Sequence, residues 1–292
     1  MTPSARPAAL GESRELTLDS GTLRYFESGP PDGPAVVLVH GLLVNADLWR
    51  QVVPGLADAG FHTYAVDWPL GSHEHPMPDA DLTPPGVADL IAAFMDRLDL
   101  QDVTVVANDT GGALTQILMT RHPERIGRVV LTPSDSFERF FPPMFALLPR
   151  LAKVPGGTWL LVQALRLRFV QRLPIGFGLL TKRPIPRDTV DSYVLPSRRD
   201  GAIRRDLGAF LRTVHKRHTL TAAEQLPAFP HPVLLAWATE DKLFPLSLAE
   251  RLAGRLPHAT IVPIADSLTF VPEDQPAELV RLVTEFAGRS VA

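Results

Sequence analysis

Six apolar runs of strand length, separated by helix-like stretches, constrain this chain more than any other feature. They are "AVVLVHG" (35–41), "HTYAVDW" (62–68), "VTVVAND" (103–109), "RVVLTP" (128–133), "PVLLAWA" (232–238) and "ATIVPI" (259–264). Near-continuous runs of this kind suit strands buried on both faces of a sheet. Helical patterns separate most of them, at 48–59, 85–98, 112–122, 246–255 and 276–286. Two shorter strands, 15–18 and 23–27, flank a turn at Asp19-Ser20-Gly21 and open the chain. This order predicts an α/β fold, a mostly parallel sheet with helices on both faces.

One interval breaks the rhythm. From about residue 136 to 226 no strand-like run occurs, only helix-like stretches divided by prolines and glycines. The expected organisation is a core of residues 1–135 and 227–292, with a helical cap at 136–226. Such an insertion would close over the carboxyl ends of the strands, where folds of this class bind ligands. It holds sixteen basic and six acidic residues. That balance reads either as a solvated basic face or as a preference for anionic substrates.

Composition removes several chemistries. There is no cysteine among 292 residues, which excludes disulfides, thiolate metal sites and a cysteine nucleophile. A formal charge of -3 gives no reason to expect nucleic acid as a partner. The most apolar stretch, 159–180, is broken by Arg166, Arg168, Arg172 and Pro174, so no membrane span is expected. "MTPSARPAALGESREL" lacks the apolar core of a secretory signal, and a cytoplasmic location is expected. Histidines and carboxylates nowhere fall in zinc spacing. The glycines of "NDTGG" do not make the Gly-x-Gly-x-x-Gly fingerprint. Neither a metal nor a cofactor is therefore expected.

The most informative corner is "VTVVANDTGGAL" (103–114). A β-favouring run ends in Ala107-Asn108-Asp109-Thr110-Gly111-Gly112 and passes into helix-forming sequence. Small residues surround a single reactive side chain, as a tight strand-to-helix turn demands. An aspartate is also an ordinary turn residue ahead of a Gly-Gly helix start.

The pattern small-x-nucleophile-x-small-small resembles the nucleophile elbow of the α/β-hydrolase superfamily, and the resemblance covers nearly the whole chain. "VLVHGLLVNADLW" is similar to the family's His-Gly loop after its third strand. That implies a backbone N–H from Leu42 in an oxyanion hole, with Thr110 supplying the other. "ATEDKLFP" resembles the loop carrying the acid of the triad, which would be Asp241. "DSLTFVPEDQPAEL" resembles the loop and final helix that usually carry the catalytic histidine. An aspartate at the elbow resembles the branch of haloalkane dehalogenases and epoxide hydrolases. There the carboxylate attacks an sp³ carbon to form an ester, which histidine-activated water cleaves.

Three positions depart from that pattern. Thr269 stands where the histidine belongs, and threonine is no general base near pH 7. Dehalogenases commonly place Asn after His-Gly and Trp after the nucleophile to hold the halide, whereas this chain has Leu42 and Thr110. Epoxide hydrolases of this type use cap tyrosines, usually a pair, and the insertion has Tyr193 alone. In "DWPLGSHEHPMP", His73 is the candidate substitute base, set against a solvent-facing loop histidine. His215 and His218 flank Lys216 and Arg217 and read as a basic helix face. His40 belongs to the His-Gly loop, where it is structural.

Three readings follow. In the first, the chain is a hydrolase, epoxide-hydrolase-like more than dehalogenase-like, acting on a small, mainly apolar molecule. Asp109 would be the nucleophile, with Asp241 and Thr269 beside it. Phe140, Phe141, Met144, Phe145, Trp159 and Tyr193 would line the pocket from the cap. In the second, Asp109 is the general base of a lyase or isomerase, with no second-stage water. The third is a catalytically impaired homologue that binds a ligand.

Overall fold

The computed structural model describes residues 8–174 and 176–288. The chain opens with a hairpin, β1 (Glu12–Leu18) and β2 (Gly21–Ser28), and continues through β3 (Ala35–Val39), α1 (Val53–Asp58) and β4 (His62–Val66). Then come α2 (Pro84–Arg97), β5 (Val103–Asp109), α3 (Thr110–Arg121) and β6 (Ile126–Ser134). A helical insertion follows β6: α4 (Leu147–Leu151), α5 (Gly157–Ala164), α6 (Arg168–Arg172), α7 (Arg187–Arg199), α8 (Gly201–Thr213) and α9 (Arg217–Gln225). The chain returns to the sheet with β7 (Val233–Ala238), α10 (Leu246–Ala253) and β8 (Ala259–Ile264), and ends in α11 (Val271–Asp274) and α12 (Pro276–Ala287).

The strands form one eight-stranded sheet in the order β1-β2-β4-β3-β5-β6-β7-β8. β2 pairs antiparallel with both β1 and β4, and every pair from β4 to β8 is parallel. All eight strand expectations are met. The four apolar runs at the centre are buried almost throughout, because helices cover both faces there. β8 is an edge strand, half-buried and exposed in turn.

From β3 the chain steps outward to β4, then crosses back to β5 on the other side. The strand order thus reverses between β3 and β5, and the carboxyl ends of these two strands border a crevice. Asp109 terminates β5, and Gly41 and Leu42 lie just past β3, so sequence-distant groups meet there.

One helix expectation is corrected. Residues 48–59 do not form one helix: a single 3₁₀ turn spans Ala46–Trp49, and α1 begins only at Val53. Asn45 caps the turn by accepting the Asp47 N–H at 3.0 Å. Pro54 sits in the first turn of α1, where its missing N–H costs nothing; farther into a continuous helix it would break the ladder.

Candidate active site

At the corner between β5 and α3, Asp109 adopts φ 55° and ψ -129°, a strained conformation for a residue with a side chain. Such a turn survives only if its neighbours are small. A Cβ on Gly41 would lie 2.1 Å from Asp109 Oδ2, and one on Gly111 would lie 2.3 Å from the Val39 carbonyl. On Gly112 it would meet the Ser134 Cβ at 2.3 Å. The small residues are therefore a steric condition for bringing β3, β5 and α3 together. Asn108, just before the corner, donates to Thr132 Oγ1 at 2.7 Å and to the Thr269 carbonyl at 2.6 Å. It ties the end of β5 to β6 and to the loop before α11.

The Asp109 carboxylate accepts hydrogen bonds from the backbone N–H groups of Leu42 and Thr110. Burial pushes its pKa up to about 6; these bonds oppose the rise, while the charge of Asp241 adds to it. Asp109 is thus mostly ionised at pH 7. It lies in a narrow cavity of about 70 Å³, walled by Leu42, Leu43, Phe141, Phe145, Leu161 and Phe177 among others.

Asp241, in the loop after β7, is buried and well supplied with donors. Its Oδ1 accepts the N–H groups of Leu243 at 2.7 Å and Phe244 at 3.0 Å. Its Oδ2 accepts the hydroxyl of the fully buried Thr269 at 2.7 Å. Burial raises the Asp241 pKa against these bonds. Thr269 therefore occupies Asp241 as a hydrogen-bond donor. It brings no imidazole.

No histidine takes that place. His73 is buried, with Nε2 3.3 Å from Asp206 of α8 and Nδ1 3.4 Å from the Gly71 N–H. Asp206 also accepts the Met77 N–H at 2.8 Å, so the pair fastens the loop after β4 to the insertion. The solvent-facing alternative for His73 fails as well. His40 accepts the Trp68 N–H at 2.9 Å through Nε2 and holds the His-Gly loop. His215 and His218 belong to the start of α9 and bond locally. None of the nine histidines of the chain lines the cavity.

Of the six expected pocket residues, the structure brings Phe141 and Phe145 to the cavity wall. The other four lie elsewhere. Met144 and Trp159 are exposed on the outside, Phe140 is buried apart from the cavity, and Tyr193 is fully buried with its ring 6.0 Å from that of Phe177. The reason in α5 is helical geometry: Leu161 and Leu165, four apart, face inward, and Trp159, two residues before Leu161, faces away. Leu148, Gly176 and Leu180 complete positions that composition alone could not assign.

Sequence reasoning missed Asp135, at the carboxyl end of β6. It is fully buried; Thr110 Oγ1 lies 3.1 Å from its Oδ2, and its Oδ1 has no hydrogen-bond partner. Burial and the charge of Asp109 raise its pKa well above the usual carboxylate range. The Thr110 hydroxyl is also within hydrogen-bond reach of Asp109. One hydroxyl hydrogen cannot serve two carboxylates. The Thr110 hydroxyl therefore sits between the two carboxylates, and Asp135 Oδ1 is left without a hydrogen-bond partner. The available signal was position, since "LTPSD" ends a parallel strand beside the elbow.

Asp274 pins the roof. It accepts the Leu268 N–H at 2.9 Å, the Thr181 hydroxyl at 2.7 Å and the backbone N–H groups of Lys182 and Arg183. Phe270 donates its N–H to the Leu180 carbonyl at 2.6 Å. The loop holding Thr269 and the insertion segment over the cavity are thus one hydrogen-bonded unit. Among the described residues, no group of three or more His, Asp or Glu could hold a metal ion. No helix of the described chain is long and apolar enough to cross a membrane.

Known proteins share this architecture. The uncharacterized hydrolase YugF of Bacillus subtilis is 25% identical over 95% of this chain and 98% of its own. The cis-3-alkyl-4-alkyloxetan-2-one decarboxylase of Shewanella oneidensis is 25% identical over 93% of this chain and 86% of its own. Among solved structures, the haloalkane dehalogenase DbeA of Bradyrhizobium elkani superposes with a TM-score of 0.78 at 22% identity, covering 95% of this chain and 97% of that one. The alpha/beta hydrolase fold family matches residues 34–276. On the strength of that match and of the elbow geometry, this chain belongs to the alpha/beta hydrolase fold family.

Proposed function

We propose that this enzyme uses Asp109 as a carboxylate nucleophile on an sp³ carbon of a small, mainly apolar molecule. One observation carries the reading: the Asp109 carboxylate sits in a cradle of two N–H groups at the wall of an apolar cavity. Residues 136–226 act in this reading as the cap that walls the cavity. The attack forms a carbon–oxygen bond to Asp109, and the electron pair of the broken bond leaves with the departing group. Dehalogenation fits poorly, since Leu42 and Thr110 offer no side chain like the Asn and Trp that hold a halide. Tyr193 lies outside the cavity, so a tyrosine-assisted epoxide opening also lacks its donor. The electrophile must then be activated by its own strain, as in a small oxygen ring.

A second reading concerns how the cycle ends, and two observations favour it. No histidine lines the cavity to activate water, and one full-length relative is named as a decarboxylase of an oxetan-2-one. Attack on the alkyl carbon of such a four-membered lactone would release a carboxylate, which needs no proton donor. Loss of CO₂ would then form the carbon–carbon double bond and break the bond to Asp109, restoring the carboxylate without water. This lyase route differs from proton abstraction by Asp109, since the aspartate here forms and breaks a covalent bond.

The test is a panel of strained epoxides and β-lactones with alkyl substituents, followed by intact mass and product analysis. An ester mapped to Asp109 and absent from Asp109→Asn supports the nucleophile reading. Diol with one oxygen from labelled water indicates hydrolysis, and alkene with CO₂ indicates the lyase route. Turnover that survives in Asp109→Asn would overturn both.

A further inference from the structure

We propose that the outer face of α4, α5 and α6 docks this protein on an anionic phospholipid surface. Among the described residues, every large apolar side chain left exposed falls between Met144 and Leu173. The most open are Phe169 at 63%, Val154 and Leu160 at 58%, and Trp159 at 54%. A folded chain with a sizeable core does not strand its exposed apolar groups in one tenth of its length by chance; such concentration marks an interaction surface.

Charge identifies the occupant. Between Glu138 and Asp188 the chain carries nine basic residues and no acidic one, although the whole molecule has a formal charge of -3. Arg150, Lys153, Arg166, Arg168 and Arg172 are interleaved with the exposed apolar residues. Short helices that combine apolar and aromatic groups with Arg and Lys are suited to an interface of acyl chains and anionic headgroups. Trp159 and Phe169 supply the aromatic component, and long basic side chains can lay their stems on the apolar layer. A second copy of this chain fits worse, because an isologous contact would set this acid-free basic segment against itself.

The face continues into the interior. α4 and α5 turn Leu148 and Leu161 toward the cavity at Asp109, while Leu147 and Leu160 point outward. Beside α6 lies an open groove of about 990 Å³ with Arg172 and Arg187 on its walls, while its Arg168, Lys182 and Arg183 are paired with Asp191, Glu240 and Asp266. The docking surface and the cavity wall are opposite sides of the same two helices.

Trp159 reports on this face directly, because the other three tryptophans, Trp49, Trp68 and Trp237, are fully buried. Tryptophan emission and co-sedimentation are measured with vesicles of phosphatidylglycerol and phosphatidylcholine, and with phosphatidylcholine alone. The mixed vesicles should shift emission to the blue, brominated acyl chains should quench it, and protein should pellet with the lipid. Binding should fall about tenfold or more on pure phosphatidylcholine, and likewise in about 1 M salt, where the screening length is about 3 Å. Leu160→Ser with Phe169→Ser, and separately Arg166→Gln with Arg172→Gln, should weaken binding about tenfold with the thermal midpoint unchanged. No blue shift and no pelleting with anionic vesicles would overturn the proposal. So would equal binding to both vesicle types, or a lipid-free, concentration-dependent shift that tracks a dimer in sedimentation. None of these readouts depends on turnover, so they stand apart from the chemistry at Asp109.

Discussion

Thr269 donates its hydroxyl to Asp241 across 2.7 Å, filling the contact that a triad histidine would otherwise make. With two backbone N–H groups on its other oxygen, Asp241 is satisfied without an imidazole. Thr269→Val keeps the shape and removes that donor, leaving a buried carboxylate oxygen short of a partner. It should cost about 1–3 kcal/mol in urea unfolding at pH 7 and leave Asp109 chemistry intact. An unchanged urea midpoint would show that the contact contributes nothing to stability.

Thr269→His tests the missing base. If Asp241 orients the new ring, an ester on Asp109 should hydrolyse about 10²-fold faster or more, read from the decay of the adduct mass. His73→Gln should leave adduct formation and decay unchanged, because His73 is engaged with Asp206 and Gly71. Faster or slower decay in His73→Gln would return that histidine to the mechanism.

Alkylation of Asp109 should follow its ionisation. The reactive form is the carboxylate, so the rate should be half-maximal near pH 6, plateau about one unit above it and fall about tenfold per unit well below it. The measurement is the rate of adduct formation with a neutral epoxide across pH 4.5–8. A rate that rose as the pH fell would point to acid activation of the electrophile instead.

Asp135 makes a prediction about stability. Its folded-state pKa is raised, so between about pH 3.9 and the raised value the folded protein holds a proton that the unfolded chain has lost. That linkage erodes stability as the pH climbs through the window. Asp135→Asn cannot ionise, so its stability relative to the parent should improve steadily as the pH rises from about 4. Parallel stability–pH curves in urea would show that Asp135 is ionised in the folded protein.

Gly41→Ala would place a methyl group 2.1 Å from Asp109 Oδ2. Either the carboxylate or the His-Gly loop must shift. Overpacking of this kind costs about 1–3 kcal/mol. Adduct formation should fall more than stability does, which paired kinetics and thermal melts would read. Unimpaired alkylation would show that the carboxylate reacts from outside its present cradle.

The strands and the elbow were legible because each rests on local physics. Apolar runs of strand length allow few other folds, and the crowding around Asp109 can be read from Gly41, Gly111 and Gly112. What escaped depended on geometry between distant segments. Asp135 can be read as following the end of a strand, but only the fold sets it beside Thr110. Trp159 and Met144 look like pocket residues because the insertion is apolar on both sides, and the chain alone does not say which side faces in. The 3₁₀ turn ahead of α1 was hidden because the helical spacing of 48–59 continues across the break before Pro54.

The cradle formed by Leu42 and Thr110 is already full: its guest is the enzyme's own carboxylate. A serine at this corner would leave both N–H groups free to receive the oxygen of an incoming carbonyl. Here the donors are engaged before any substrate arrives, so carbonyl addition would have to compete with a tethered anion for the same two hydrogens. Substrates whose negative charge develops at a carbonyl oxygen are thereby disfavoured. Those whose charge departs on a leaving group are not. The cradle thus acts as a selectivity filter at the level of reaction type, enforced by prior occupancy rather than by the shape of the cavity.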